Sequence, residues 1–289
     1  MGIAAPRRDE LAHLLAQPEE SIDLGRAALL VARDHDPRCD VDEGLARLDR
    51  LADPLRGVLR AETPVLEAAL TLAAHLGARE RFRGNVEQYD DPANSFLHAV
   101  LERRLGIPIT LSLVYMEVAR RCNVAAHGVG LPGHFLTGLS GPVPGADGST
   151  RTGVVMLDPF DGGRLMRPRA VADLYARYVG SDATLPPDVL RPVSRKALLA
   201  RMLRNLKGVY AKAGDTLRTL SVLDRILSLA PGALEERRER GLLLAQAGAA
   251  RAARDDLETY LANANDVEHA AEARAVLAGL SHRRPTLLN

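Results

Sequence analysis

Tryptophan is absent from the 289 residues, and all aromatic residues together reach only 3%. A core built on aromatic packing is therefore excluded, and the interior has to be aliphatic. Cysteine occurs twice, as Cys39 and Cys122. That is too few for a disulfide framework. With no C-x-x-C and no second ligand pair beside either residue, no metal site is expected. His35 and Cys39 have the spacing of one helix face, but Pro37 interrupts it. No apolar run approaches the roughly 18 residues of a membrane span. The opening stretch, MGIAAPRRDELAHLL, carries charge where a secretory leader has an apolar segment. No membrane partner is expected, and the cytoplasm is the expected location. Net charge is nearly missing too, since 38 Lys and Arg face 37 Asp and Glu. A nucleic-acid partner would need basic residues gathered locally. The nearest gatherings are 201–204 with Lys207 and 237–240, and both read as solvated helix faces.

What is present is Ala, Leu and Arg, with 46% apolar residues, a composition that favours helix. The length suits one large domain or two ordinary ones. Helices are expected over 22–33 with Ser21 as cap, from Asp40 to about Leu51, and from Thr63-Pro64 to Gly77. The middle changes character. A short helix over 95–104 ends at Gly106 and Pro108, and Asn94 or Ser95 can cap it. Thr110 then caps a helix over 111–122 whose first half is apolar nearly all round and therefore buried. Strands are expected at 124–130, 135–139 and 154–157, with a Gly/Pro-rich hairpin loop over 141–150. Helix first, then short antiparallel strands, is an α+β order.

Beyond a Pro-rich link at 185–192 the pattern is helical to the end and repeats. YAKAGDTLRTLSVLDRILSLAPG, from Tyr210, aligns with LAQAGAARAARDDLETYLANAND, from Leu244, at an offset of 34 residues. Gly214 matches Gly248, Leu223 matches Leu257, and Ile226 matches Tyr260. That period is the tetratricopeptide one, two antiparallel helices per unit. Three regions follow: N-terminal helices over 1–80, a core over 81–190 and helical repeats over 191–289.

The stretch from Tyr89 to Gly163 carries four blocks: NSFLHAVLERRLGIPITLS, a helix ending near Asn123, GLPGHF and LDPFDGG. In order and spacing they resemble the SirB-one family, a branch of the transglutaminase-like superfamily whose members also end in tetratricopeptide-like repeats. The resemblance implies a papain-like core, a buried helix plus an antiparallel sheet. Catalytic members of the superfamily place a Cys at the start of that helix, a His on the next strand and an Asp on the strand after. His134 matches the His and Asp158 the Asp, whereas the helix start reads Gly106-Ile107-Pro108-Ile109-Thr110, with no Cys. Thr110 and Ser112 offer only hydroxyls, weaker nucleophiles than a thiol. Cys122 lies about 18 Å away at the far end of the helix. Asn94, Pro108, Ser112 and Phe135 are the further residues expected at the groove. The string from Gly128 to Gly133 has G-x-G-x-x-G form but leads into a strand, where a dinucleotide site needs it to open a helix. No cofactor is expected.

Three readings follow. A non-catalytic scaffold would use the groove and the repeats to hold a protein or peptide partner. A hydrolase or acyltransferase would use a hydroxyl or water, with His134 as base and Asp158 as its orienter. A structural subunit of a larger assembly is the third.

Overall fold

The computed structural model describes residues 10–264 and 267–282, so the charged opening at 1–9 and the last residues of the second repeat, 265 and 266, lie outside it. It divides into two compact units between Met202 and Leu203.

The first unit opens with helices α1 (Glu10–Leu15), α2 (Leu24–His35), α3 (Val41–Ala52) and α4 (Val65–Leu72). Asp40 starts α3 as expected, its carboxylate accepting from the backbone N–H of Asp42 and Glu43 at 3.0 Å. The other two caps differ from expectation. The α2 cap is Asp23, which accepts from the N–H of Arg26 at 2.9 Å, while Ser21 ends a preceding 3-10 turn. At α4 the cap position is Pro64, because the Thr63 hydroxyl is already accepting from the N–H of Arg60. The chain then leaves α geometry: 73–79 form a π-helix, a rare, wider turn that is frequent at functional sites.

Strand β1 (Arg83–Gly84) pairs in parallel with β2 (Leu105–Gly106), bracketing α5 (Leu97–Arg103). Helix α6 (Pro108–Arg121) follows, every residue from Pro108 to Ala119 buried. It packs on an antiparallel sheet of four consecutive strands, β3 (Ala125–Leu131), β4 (His134–Pro144), β5 (Thr150–Asp158) and β6 (Arg164–Met166). Val129, Leu131 and Leu136 pack instead with Val171 and Leu174 of α7 (Pro168–Val179). Helix above and helix below explain why these short strands are so apolar. The hairpin between β4 and β5 is longer than expected. Pro142 and Pro144 are paired strand residues, opposite Thr152 and Thr150. β3 ends its pairing at Ser140, so this arm has a free edge, where a proline costs no ladder bond.

The second unit holds the C-terminal part of α8 (Arg195–Lys212), then α9 (Thr216–Leu229), α10 (Leu234–Gln246), α11 (Ala250–Asn263) and α12 (Val267–His282). The 34-residue offset is visible in the backbone. α9 and α11 are both 14 residues long, and Gly214 (φ 70°) and Gly248 (φ 81°) both turn left-handed before them. The bond from Asp215 N to Tyr210 O recurs as Ala249 N to Leu244 O. Leu223, Ile226, Leu257 and Tyr260 are all buried. The basic run 237–240 is not simply a solvated face. Arg237 and Arg240 pair with the buried Asp256 at 3.2 and 2.6 Å.

Candidate functional site

The site begins with where β4 starts. The hairpin turn at Pro132-Gly133 delivers His134 as the first residue of β4, and Asp158 closes β5. The two are buried and meet at 3.0 Å, His134 Nε2 to Asp158 Oδ1. The same carboxylate oxygen accepts the N–H of Phe160 at 3.1 Å, which caps the 3-10 turn Pro159–Asp161. Arg164 approaches the other oxygen at 4.0 Å and bonds Asp161 at 2.9 Å. With Asp158 bonded at Nε2, Nδ1 is the ring nitrogen left on the side away from the carboxylate. Among the described residues no side chain bonds Nδ1. The arrangement can therefore hold an imidazole in one tautomer beside whatever occupies that side.

Among the described residues neither a hydroxyl nor a thiol bonds Nδ1. Helix α6 begins one turn earlier than the sequence implied. Ile107 is the N-cap, Pro108 the first residue and Thr110 the third, since proline fixes a helical φ and starts the helix itself. The Thr110 hydroxyl donates to the carbonyl of Asn94 at 2.7 Å and accepts from the N–H of Ile107 at 3.2 Å. Ser112 donates to Phe135 O at 3.4 Å. Cys39 and Cys122 are buried elsewhere, donating to Leu29 O and Ala52 O.

The remaining groove candidates lie one layer beneath the surface. Asn94 does not cap α5. It is fully buried, donates to Gln88 O and Tyr89 O, and accepts from Asn85 and Arg103. Asp91 caps the turn instead, a carboxylate at the position where 92–95 wind as 3-10 helix. Pro108, Ser112 and Phe135 are buried as well, Phe135 with the Arg201 guanidinium 5.3 Å above its ring.

The residues packed at and around His134 were not expected at the site from the sequence. Phe160 meets its ring edge-on with centroids 5.8 Å apart, and Tyr89 meets Phe160 edge-on at 6.2 Å. Tyr178 lies against the backbone of Gly133, where an added Cβ would fall 2.3 Å from the ring. Tyr89 and Tyr178 are each about half exposed. Burial pushes the Tyr89 hydroxyl pKa up, and the nearby Tyr178 adds to it. Arg201, expected on a solvated face, is half-buried and donates to the carbonyls of Leu131 and His134, pinning the turn that carries the histidine. Its burial pulls its pKa down. The signal was available: Leu198 and Met202, flanking it on the helix, are core residues.

Beside Phe160 runs a cleft of about 650 Å³ bordered by Gly77, Arg81, Arg83, Gly84, Asn85 and Gly162. Under its glycines lies the hydroxyl of Tyr115, fully buried and without a hydrogen-bond partner among the described residues. Burial and the charge of Asp158 both raise its pKa. Among the described residues no cluster of His, Cys, Asp or Glu is placed to hold a metal ion. Nor is any helix among them long and apolar enough to cross a membrane.

A buried helix feeding an antiparallel sheet, with His and Asp on adjacent strands, defines a transglutaminase-like domain. Residues 42–204 match the family model described as transglutaminase-like superfamily, and 206–278 match that described as tetratricopeptide repeat. The chain belongs to the transglutaminase-like superfamily, in the group of UPF0162 proteins that carry such a repeat region. It is 36% identical to a UPF0162 protein of Xylella fastidiosa strain 9a5c, over 92% of both chains. A UPF0162 protein of Pseudomonas aeruginosa is 32% identical over 84% of this chain and 85% of its own. F-box only protein 21 of Mus musculus is 32% identical over 46% of this chain and 20% of its own length. No solved structure matches the chain.

Proposed function

We propose that the chain is a non-catalytic, cytoplasmic scaffold that binds a protein or peptide partner, using the groove at His134 and the helical repeats. The observation that carries this reading is the occupied state of Thr110. Its hydroxyl is spent on Asn94 O and Ile107 N, so the helix start presents no nucleophile where the superfamily's catalytic members have a thiol. The tetratricopeptide region supports it, because stacked helix pairs expose surfaces used mainly for protein binding. Two buried free thiols suit a reducing compartment.

A second reading, hydrolysis or acyl transfer through bound water, is favoured by one observation, the 3.0 Å His134–Asp158 bond with Nδ1 left available. Purified protein incubated with p-nitrophenyl acetate, and with a glutamine-containing peptide plus a fluorescent amine, separates the two. The scaffold reading expects turnover equal to that of His134→Ala. Turnover that His134→Ala abolishes establishes the enzyme instead.

A further inference from the structure

The cleft beside Phe160 carries more unpaired positive than unpaired negative charge. Most arginines of the described residues are paired, as with Arg104 to Glu80 at 3.0 Å and Arg103 to Asp91 at 2.6 Å. Arg79, Arg81 and Arg83 follow one another at alternate positions, all exposed, and none of them forms an ion pair with a described residue. Arg81 and Arg83 border the cleft. Of the carboxylates there, Asp161 is already held by Arg164 at 2.9 Å, which leaves Glu87 alone against two guanidinium groups.

The backbone under these arginines is specialised. Arg81 itself is left-handed (φ 62°), a conformation that costs a non-glycine residue about 1 kcal/mol or more and persists where the surroundings impose it. It follows the π-helix 73–79, which ends at Arg79. Phe82, between the two arginines, is fully buried, with the Arg104 guanidinium 4.7 Å over its ring. Arg83 is fixed by strand pairing to Leu105. Both cations are thus presented from anchored backbone. Phe160 lines the cleft too, its ring filling the space where Gly84 would carry a side chain, with atoms 2.4 Å from the Cβ position. Phe160 in turn touches His134.

We infer that this cleft binds an acidic polypeptide segment, its carboxylates on Arg81 and Arg83 and its chain crossing Phe160 towards His134. Guanidinium forks match carboxylates two bonds at a time, and an aromatic wall receives the intervening apolar atoms. The volume falls within the roughly 300–1,000 Å³ of ligand clefts. The inference rests on the scaffold reading and names the partner's chemistry at the same groove.

The test uses the full chain and fluorescence anisotropy with two fluorescein-labelled decapeptides, one of alternating Glu and Ala, one of alternating Gln and Ala. The acidic peptide is expected to bind and the neutral one to bind at least tenfold more weakly. Arg81→Gln with Arg83→Gln is expected to cost a further tenfold or more, with circular dichroism and Tm unchanged. Arg169→Gln, an exposed arginine of α7, is expected to change nothing. Equal binding of both peptides, with a Phe160→Ala loss, overturns the acidic specificity and leaves the scaffold reading standing. No binding of either peptide overturns the acidic-partner inference, and a single-stranded oligonucleotide bound more tightly than the acidic peptide overturns it in favour of a general polyanion site. Turnover in the ester and amine assays that His134→Ala abolishes overturns the scaffold reading independently of any of these.

Discussion

Gly77 and Gly162 lie so close that a Cβ on Gly77 would fall 1.8 Å from the carbonyl oxygen of Gly162 and 3.1 Å from the Tyr115 hydroxyl. The contact joins the π-helix to the loop after Asp158, and so sets the position of one wall of the site. Gly77→Ala must push backbone against backbone, a misfit that no side-chain rotation relieves. The expected cost is about 3 kcal/mol or more, read as a lower urea midpoint at unchanged slope.

Thr110 gives a second prediction. Thr110→Val keeps the shape but leaves Asn94 O and Ile107 N without their hydroxyl partner. A loss of about 1–3 kcal/mol is expected in urea unfolding. Thr110→Cys, held at the same buried position, is expected to react with iodoacetamide no faster than an ordinary surface thiol. Fast alkylation that depends on His134 would instead place residue 110 within its reach.

The two native thiols are expected to be inert in the folded protein. Burial pushes the Cys39 pKa up to about 11, with the charge of Asp36 adding to it, and burial raises Cys122 as well. At neutral pH almost no thiolate is present at either residue. Ellman's reagent should therefore titrate them only as fast as the protein unfolds, and rapid native labelling at pH 7 would contradict this.

Acid stability should carry the signature of Asp36. Arg38 grips both its oxygens, at 2.9 and 2.8 Å, and holds the carboxyl well below the usual carboxylate range. His98 adds a bond at 3.2 Å. The folded pKa lies below the unfolded value of about 3.9, so this contribution is fully present above that pH. It disappears as pH falls through the folded pKa. Asp36→Asn is expected to flatten the Tm-against-pH curve below about pH 4, and an unchanged acid limb would show that the pair contributes nothing.

Much of the architecture was legible because it repeats simple periods. The 34-residue offset from Tyr210 to Leu244 and the all-round apolar face of α6 both translate directly into helices. The pairing of His134 with Asp158 was legible through the resemblance of the GLPGHF and LDPF blocks to the transglutaminase-like superfamily. The parts that were not legible depend on contacts distant in sequence. Arg201 binds carbonyls some 70 residues away at Leu131. Asn94 resembles a cap by position, yet its buried amide organises the loop that carries Tyr89. Start positions slipped where two capping residues compete, as Ser21 does with Asp23, or where Pro108 begins a helix without a polar cap.

The exact recurrence of the turn at Gly214 and Gly248 has an evolutionary reach. Because the 34-residue block between these glycines begins and ends in nearly the same backbone state, copying it would shift no register in its neighbours. Array length is then a free variable for gene duplication. Such a change in the tail would leave the His134 turn, encoded upstream, untouched.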